Sequence, residues 1–416
     1  MKTVLLYSPD VIGHPRVYCR VIADALAGTG CRLVVAMGFT EEAGLEHSPD
    51  LQPLVGRNEV ELVETCRYSR SGSPHLRAEE IVGLQKACGA ETTLFIEADK
   101  SHDEFRRISA GGAPRLRGRN LGIFANTAEW YPGEDSQTGA PKRLRASTLR
   151  TTLGNVKRAV FGRRSTAKYF YERVIIGRNV LDEVLAKDER LVAWRGRPVY
   201  WMPEISRPAR SPESSADAAE YLEAKENLAA FIARSEGREP VLYFGDAAYY
   251  KGYDLFLQLL ATTPSLCGLH PGRPADEQQK GWFRIDVDAL RARLVGEGRL
   301  LETGRYVHAQ RIKELFFGAV RLYVTTHRLT LSSSTVIQAL ELGKPVLVPD
   351  RGLLGYRVRT NSLGDVYAYE DLDDLRRKAE KLWASDLRRF AEPARAFWAR
   401  FSDEAIRGFF VERLLG

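Results

Sequence analysis

Two successive series of short apolar runs, each run followed by a segment with helical spacing, constrain the fold of this chain more than any other feature. In the first series, residues 3–7, 32–36, 92–96, 121–124, 173–176 and 198–202 read as buried strands. Residues 17–27 between the first two carry apolar side chains at helical spacing, and Gly28-Thr29-Gly30 stops that helix. In the second series the strands are 241–245, 266–270, 299–303, 321–326 and 345–349, with helical segments at 252–261, 286–295, 309–318 and 333–342. The chain closes on helical patterns at 370–385, 388–401 and 403–415. Near-continuous apolar strands alternating with helices call for parallel sheets covered on both faces. The fold class expected is therefore α/β, with two Rossmann-like doubly wound domains facing a cleft.

Between the series, residues 206–238 hold Pro, Ser and Arg followed by an Ala/Glu-rich stretch, the composition of a linker and one connecting helix. The expected division is an N-terminal domain over 1–205, this linker, and a C-terminal domain over 239–402. The last helix, 403–415, is expected to return to the N-terminal domain through Ile406, Phe409, Phe410 and Leu414. Doubly wound sheets bind ligands beyond the C-terminal edges of their strands, so function is sought there.

Composition excludes several classes. No run of about 18 apolar residues is present for a membrane-spanning helix, and Lys2 and Thr3 interrupt the start too early for a signal peptide. The five cysteines (Cys19, Cys31, Cys66, Cys88, Cys267) form no CxxC pair and the seven histidines form no HExxH, so free thiols in a reducing cytoplasm and no metal site are expected. Charge is uneven. Of a formal net +7, the stretch from Lys142 to Arg173 holds ten Lys or Arg against Glu172 alone. Such a patch favours an anionic partner, and it lacks the aromatic signature of an RNA-binding module, so nucleic acid is not expected. Leu149, Leu153, Val156 and Val160 form a helical stripe beside these charges. That stripe packs on a core, or it lets the segment lie on an anionic membrane face.

Two loops carry chemistry. After the 321–326 strand, Ser332, Ser333, Ser334 and Thr335 stand consecutively where a helix begins. The unpaired N–H groups and dipole of a helix start suit a diphosphate; simple capping would need one hydroxyl. After the 241–245 run, Gly245 permits a sharp turn or a close backbone approach. Lys251 offers a mobile phosphate-binding charge.

From Val241 to about Leu382 the sequence resembles the GT-B nucleotide-sugar glycosyltransferases, particularly the retaining group related to glycogen and sucrose synthases. The resemblance rests on Gly245 with Lys251-Gly252, on Gly304, on Glu314-Leu315-Phe316, on the segment from Gln338 to Val346, and on Asn361-Ser362-Leu363-Gly364 with Tyr367. A weaker echo in the first half includes Gly13 and Met202-Pro203-Glu204. It implies a donor site formed by Gly13, Gly245, Lys251, Arg328, Thr330, Ser333, Ser334, Thr335 and Gln338. The sequence departs from that group at three places. Asp246 stands where an Arg follows the glycine, and Thr330 and Gln338 replace two glutamates eight residues apart. The run Ser332–Thr335 is closer to the phosphate loops of inverting GT-B enzymes, so stereochemistry stays open.

An inverting enzyme needs a general base near the acceptor hydroxyl. His14, Asp99 and Glu129 are the candidates retained, with Asp10 and His102 beside them; each has a plain capping or surface alternative. The expected function is transfer of a sugar from a nucleoside diphosphate sugar to a glycan, a lipid-linked intermediate or a natural product, without cofactor or metal. A nucleotide-sugar 2-epimerase and a non-catalytic sugar-nucleotide- or glycan-binding protein are the alternatives. A cytoplasmic location is expected, with peripheral docking at the inner membrane face if residues 142–173 meet lipid.

Overall fold

The structure, a computed structural model, describes residues 1–9, 14–40, 48, 50–68, 77–98, 101–124, 180–191, 199–205, 215–305, 307, 310–329 and 332–416. The side chains at 14, 39–40, 66–68, 102 and 215–217 are not among what is described. The described residues form two compact units, the first from 1–124, 180–205 and 400–416, the second from 215–399.

In chain order the first unit has β1 (Thr3–Ser8), α1 (His14–Leu26), β2 (Arg32–Thr40), β3 (Val60–Tyr68), α2 (Ala78–Cys88), β4 (Thr92–Phe95), α3 (His102–Ser109), β5 (Arg119–Phe124), β6 (Glu183–Ala186) and β7 (Val199–Trp201). The second unit follows with α4 (Ser215–Arg234), β8 (Glu239–Leu242), α5 (Tyr253–Thr262), β9 (Leu266–His270), α6 (Glu277–Lys280), α7 (Val287–Gly296), β10 (Leu300–Glu302) and α8 (Gln310–Gly318). It continues with β11 (Tyr323–Val324), α9 (Ser334–Glu341), β12 (Val346–Pro349), α10 (Gly352–Asn361), β13 (Gly364–Tyr367), α11 (Leu372–Trp383) and α12 (Ala391–Trp398). The last helix, α13 (Asp403–Leu415), belongs to the first unit.

All strand pairings are parallel. The first unit has one sheet of order β3-β2-β1-β4-β5-β6-β7. The side chains of β1 are buried on both faces, which is why that strand reads as an unbroken apolar run. The α13 residues Ile406, Phe410 and Leu414 join Tyr18, Cys19 and Ile22 of α1 and Val4 and Leu6 of β1 in one core cluster, with Phe409 half-buried at its margin. Lys2 donates to the Leu415 carbonyl at 3.0 Å, tying the two chain ends.

The second unit has two three-stranded sheets, β10-β9-β8 and β11-β12-β13, with β8 and β11 as neighbours. From β8 the chain winds one way and from β11 the other, so the reversal in strand order lies between these two strands. Loops at the C-terminal ends of strands flanking such a reversal are where an open α/β sheet holds ligands.

Some boundaries differ from the sequence reading. The run 241–245 leaves the sheet after Leu242, and 321–326 contributes only Tyr323–Val324; just beyond them the Tyr243 amide still bonds to Leu269 of β9 and the Thr325 amide to Leu347 of β12. The long helix expected over 388–401 is a 3-10 turn (Leu387–Phe390), α12 and a second 3-10 turn (Ala399–Phe401). Pro393 falls in the first turn of α12, the one stretch of a helix that needs no proline N–H. The strand expected at 173–176 lies outside the described residues. Cys19, Cys31, Cys88 and Cys267 are free thiols. Among the described residues no helix is long and apolar enough to cross a membrane.

Candidate functional site

The two loops singled out in the sequence leave the C-terminal ends of β8 and β11, the strands that flank the reversal. Three consecutive carbonyls weld them together. Arg328 Nη1 donates to the Tyr249 carbonyl at 2.8 Å. The Arg328 and Leu329 amides donate to the Tyr250 carbonyl at 2.8 and 3.1 Å. Thr326 Oγ1 donates to the Lys251 carbonyl at 3.0 Å.

Within this frame Gly245 adopts φ +94°, a conformation that side-chain-bearing residues rarely take. The space its side chain would fill is taken by Lys251, whose Nζ lies 2.8 Å from the ideal Cβ position. Lys251 is half-buried, and no carboxylate lies within salt-bridge distance of it among the described residues. Burial lowers its pKa, and the charge of Asp246 only partly offsets this. Next to it, burial and then the Lys251 charge push the His327 imidazole down to about 3, so it stays neutral at ordinary pH. A half-buried ammonium with no carboxylate within salt-bridge distance among the described residues is electrostatically incomplete, and an anionic ligand would complete it.

At the second loop α9 begins at Ser334, with Ser333 as its extended N-cap residue. The Ser333 hydroxyl does not cap the helix; it pairs with Thr335 Oγ1 at 2.9 Å, which also accepts from the Tyr323 hydroxyl at 2.9 Å. Ser332 Oγ accepts from Arg357 Nη1 at 2.6 Å. The hydroxyl run is thus held by buried partners, and what α9 presents at its start is backbone N–H. Gln338, one turn further along α9, is buried. A narrow crevice between α8 and α9 is lined by Gln310, Lys313, Glu314 and Gln338, bringing together two residues that the sequence motif separates by 24 positions.

Arg328 corrects an expectation. It was expected at the donor phosphates, but its guanidinium is buried and committed. It is bidentate to Asp254 at 2.7 and 2.9 Å, its Nε donates to Glu370 at 2.5 Å, and its plane lies 4.1 Å from the Tyr249 ring centroid. Those contacts make it the strut of the loop weld and leave Lys251 as the cation of these loops with no carboxylate partner among the described residues. Gly13, Asp99, Glu129 and Thr330 lie outside the described residues, as do Asp10 and the basic stretch 142–173; of His14 and His102 only the backbone, in α1 and α3, is described.

Several site residues carried no sequence signal. Arg273 is bidentate to Asp246 at 3.0 and 2.6 Å, so a guanidinium stands beside the position where the related enzymes have an Arg in the chain itself. Arg357 and His270 likewise come from outside any motif, and His327 lies within the second loop without having been singled out. Among the described residues no three His, Cys, Asp or Glu side chains gather as a metal site.

No protein-family model matches the chain, and no curated protein sequence does. Solved structures do. Sucrose-phosphate synthase from Thermosynechococcus elongatus is 16% identical with a TM-score of 0.61, covering 100% of this chain and 99% of that one. A glycosyltransferase from Rickettsia africae is 14% identical with a TM-score of 0.63, over 99% and 97%. HepE of Anabaena, solved in complex with UDP, is 13% identical with a TM-score of 0.60, over 100% of both chains. Along its whole length, the chain has the fold of the GT-B glycosyltransferases.

Proposed function

We propose that this protein is a glycosyltransferase whose second unit binds a nucleoside diphosphate sugar at the loops following β8 and β11. The observation that carries the reading is the half-buried Lys251 ammonium, without a carboxylate partner among the described residues and packed against Gly245 beside the reversal of the sheet. HepE, which shares the fold, is a UDP complex in one structure and a UDP-glucose complex in another, which makes uridine diphosphate the first ligand to try.

When the bond between sugar and diphosphate breaks, negative charge grows on the departing phosphate. A preorganised ammonium and the free N–H groups of α9 stabilise that charge more than they stabilise the ground state. This needs no metal, so turnover persists in EDTA. In the same reading Gln338 is the ribose contact, its amide replacing a carboxylate. His14, Asp99 and Glu129 remain the proposed base candidates, and a glycan or lipid-linked acceptor the proposed co-substrate. A second reading, a protein that binds nucleotide-sugar without turning it over, is favoured by Thr330 and Gln338 at the two glutamate positions.

Calorimetric titration with UDP tests the site. Lys251→Ala is expected to weaken binding by about tenfold or more, the scale of one charge-assisted hydrogen bond. Absence of binding to UDP and to every other nucleoside diphosphate would overturn the reading. Slow hydrolysis across a panel of nucleotide-sugars separates the transferase from the binding protein.

A further inference from the structure

His270 ends β9, completely buried, on an element that no motif marked. Its ring touches the donor loop. Nε2 lies 3.1 Å from the Gly245 carbonyl oxygen, which can only accept, so Nε2 carries a proton and donates it. Nδ1 lies 3.1 Å from Oε1 of Glu302, at the end of β10. The carboxylate is fixed in turn: Arg291 of α7 donates to Oε2 at 2.7 Å, and the Tyr253 hydroxyl of α5 donates to Oε1 at 3.2 Å. Burial works against the charged form of Glu302, but hydrogen bonds and charges from His270 and Arg291 outweigh it and hold its pKa below the ordinary value. The rings of Tyr243 and Tyr253 clamp the imidazole, with centroids 5.3 and 4.9 Å away.

The peptide so gripped is the one that matters for a ligand. The Gly245 amide donates to the Pro271 carbonyl at 3.3 Å, and the Ala247 amide donates to the Arg273 carbonyl at 2.9 Å. The β8–α5 loop is therefore zipped to the β9–α6 loop, and among the described residues His270 is the one side chain that reaches the carbonyl of Gly245. Gly272 makes the grip possible, since a Cβ there would run into that carbonyl and stand 2.9 Å from His270 Nε2.

We propose that His270 is a positioning residue of the donor site, aimed by Glu302 and holding the Gly245 peptide in the geometry that receives the diphosphate. The inference rests on the donor-site reading above. His270 touches no substrate; it acts through Gly245, fixing the orientation of the glycine over which Lys251 is packed. A second shell of this kind shapes a site without entering it.

Asn and Gln separate the two ring contacts. The amide nitrogen of Gln reaches about as far along the side chain as Nε2, and can donate to Gly245. That of Asn reaches about as far as Nδ1, and can meet only Glu302. His270→Gln is expected to keep UDP affinity within about threefold of the parent, and His270→Asn to lose about tenfold or more, at closely similar melting temperatures. Equal affinity in both variants, or losses that simply follow the melting temperature, would overturn the proposal. Should either variant fail to fold, nitrogen-15 NMR of the parent decides. A solvent-protected proton on His270 Nε2 that shifts on adding UDP supports the grip, and an Nε2 without a proton, or one unmoved by UDP, refutes it. A parent protein that binds no nucleoside diphosphate brings down the donor-site reading itself, and is recognised because it precedes any comparison of variants.

Discussion

At the scale of single residues, the second unit separates charges that are neutralised from charges that are kept open. Arg328 and Asp254 are buried and bidentate, so removing one partner strands the other. Arg328→Ala is expected to cost about 3–5 kcal/mol in urea denaturation, and Arg328→Met paired with Asp254→Leu distinctly less, because the buried carboxylate goes with its partner and Glu370 is exposed enough to be solvated. His327 makes a pH prediction. Its folded-state pKa of about 3 lies below the unfolded value of 6.5, so the unfolded chain binds the extra proton first. Its contribution to stability is intact above the unfolded value and is lost as pH falls from there toward 3, with a slope approaching ~1.4 kcal/mol per pH unit. His327→Asn removes that component. Denaturation midpoints of the two proteins compared at pH 7 and pH 5 check it; identical pH dependence would sink the assignment. Lys251 and Gly245 were legible as a pair in the sequence. Arg273 and His270 were not, because each is brought to the loop by a neighbouring strand of the sheet and has no fixed spacing from it.

At the scale of elements, strands with two buried faces were the most legible. β1, β4 and β9 are buried at every position. The edge strand β3 was missed. It is only half-buried, and Glu61 and Glu64 interrupt Val60, Leu62 and Val63, so no apolar run forms. The short strand β13 was missed for its length, and its only fully buried residue is Tyr367. The hydroxyl run before α9 was found, but not which of its hydroxyls are engaged: Thr335 accepts from Tyr323 and Ser332 from Arg357, contacts that periodicity cannot reveal. The docking of α13 makes an element-scale prediction. Phe410 is fully buried in the core that α13 shares with α1. Phe410→Ala is expected to destabilise the first unit by about 3–5 kcal/mol. By hydrogen exchange, amides of β1 and α1 should lose protection while those of β8 to β13 keep theirs; uniform loss would argue against it.

At the scale of the whole molecule, two units with separate cores should respond separately to a ligand of one of them. UDP at about 100 times its dissociation constant stabilises its binding unit by about 2.7 kcal/mol. Differential scanning calorimetry should show that gain in the transition carrying the second unit, with exchange protection rising at 245–252 and at the start of α9. Protection confined to the first unit would contradict the donor assignment. For the basic stretch 142–173, packing on a core is the expected outcome, and docking on anionic lipid, where each surface Lys or Arg would contribute ~1 kcal/mol, is the alternative. Sedimentation with anionic liposomes separates them: no pelleting at low salt is expected, and salt-sensitive pelleting would favour docking.

Local chemistry in the sequence sufficed for the α/β class, for parallel strands, for the stop at Gly28-Thr29-Gly30 and for two polar loops at strand ends, because each follows from side-chain period or from a residue's own backbone limits. It did not reach the relations between loops. That Arg328 is a strut and Lys251 an open charge depends on which carboxylates come within 4 Å. Asp254 and Glu370 reach Arg328 only when β8 and the strands from β11 onward lie side by side, and Asp246 is drawn to Arg273 by the pairing of β8 with β9. The last helix is a similar case. Its apolar positions were visible as a pattern, but a pattern names a face and not its partner, and the match to α1 and β1 exists only once the chain has returned to its own beginning.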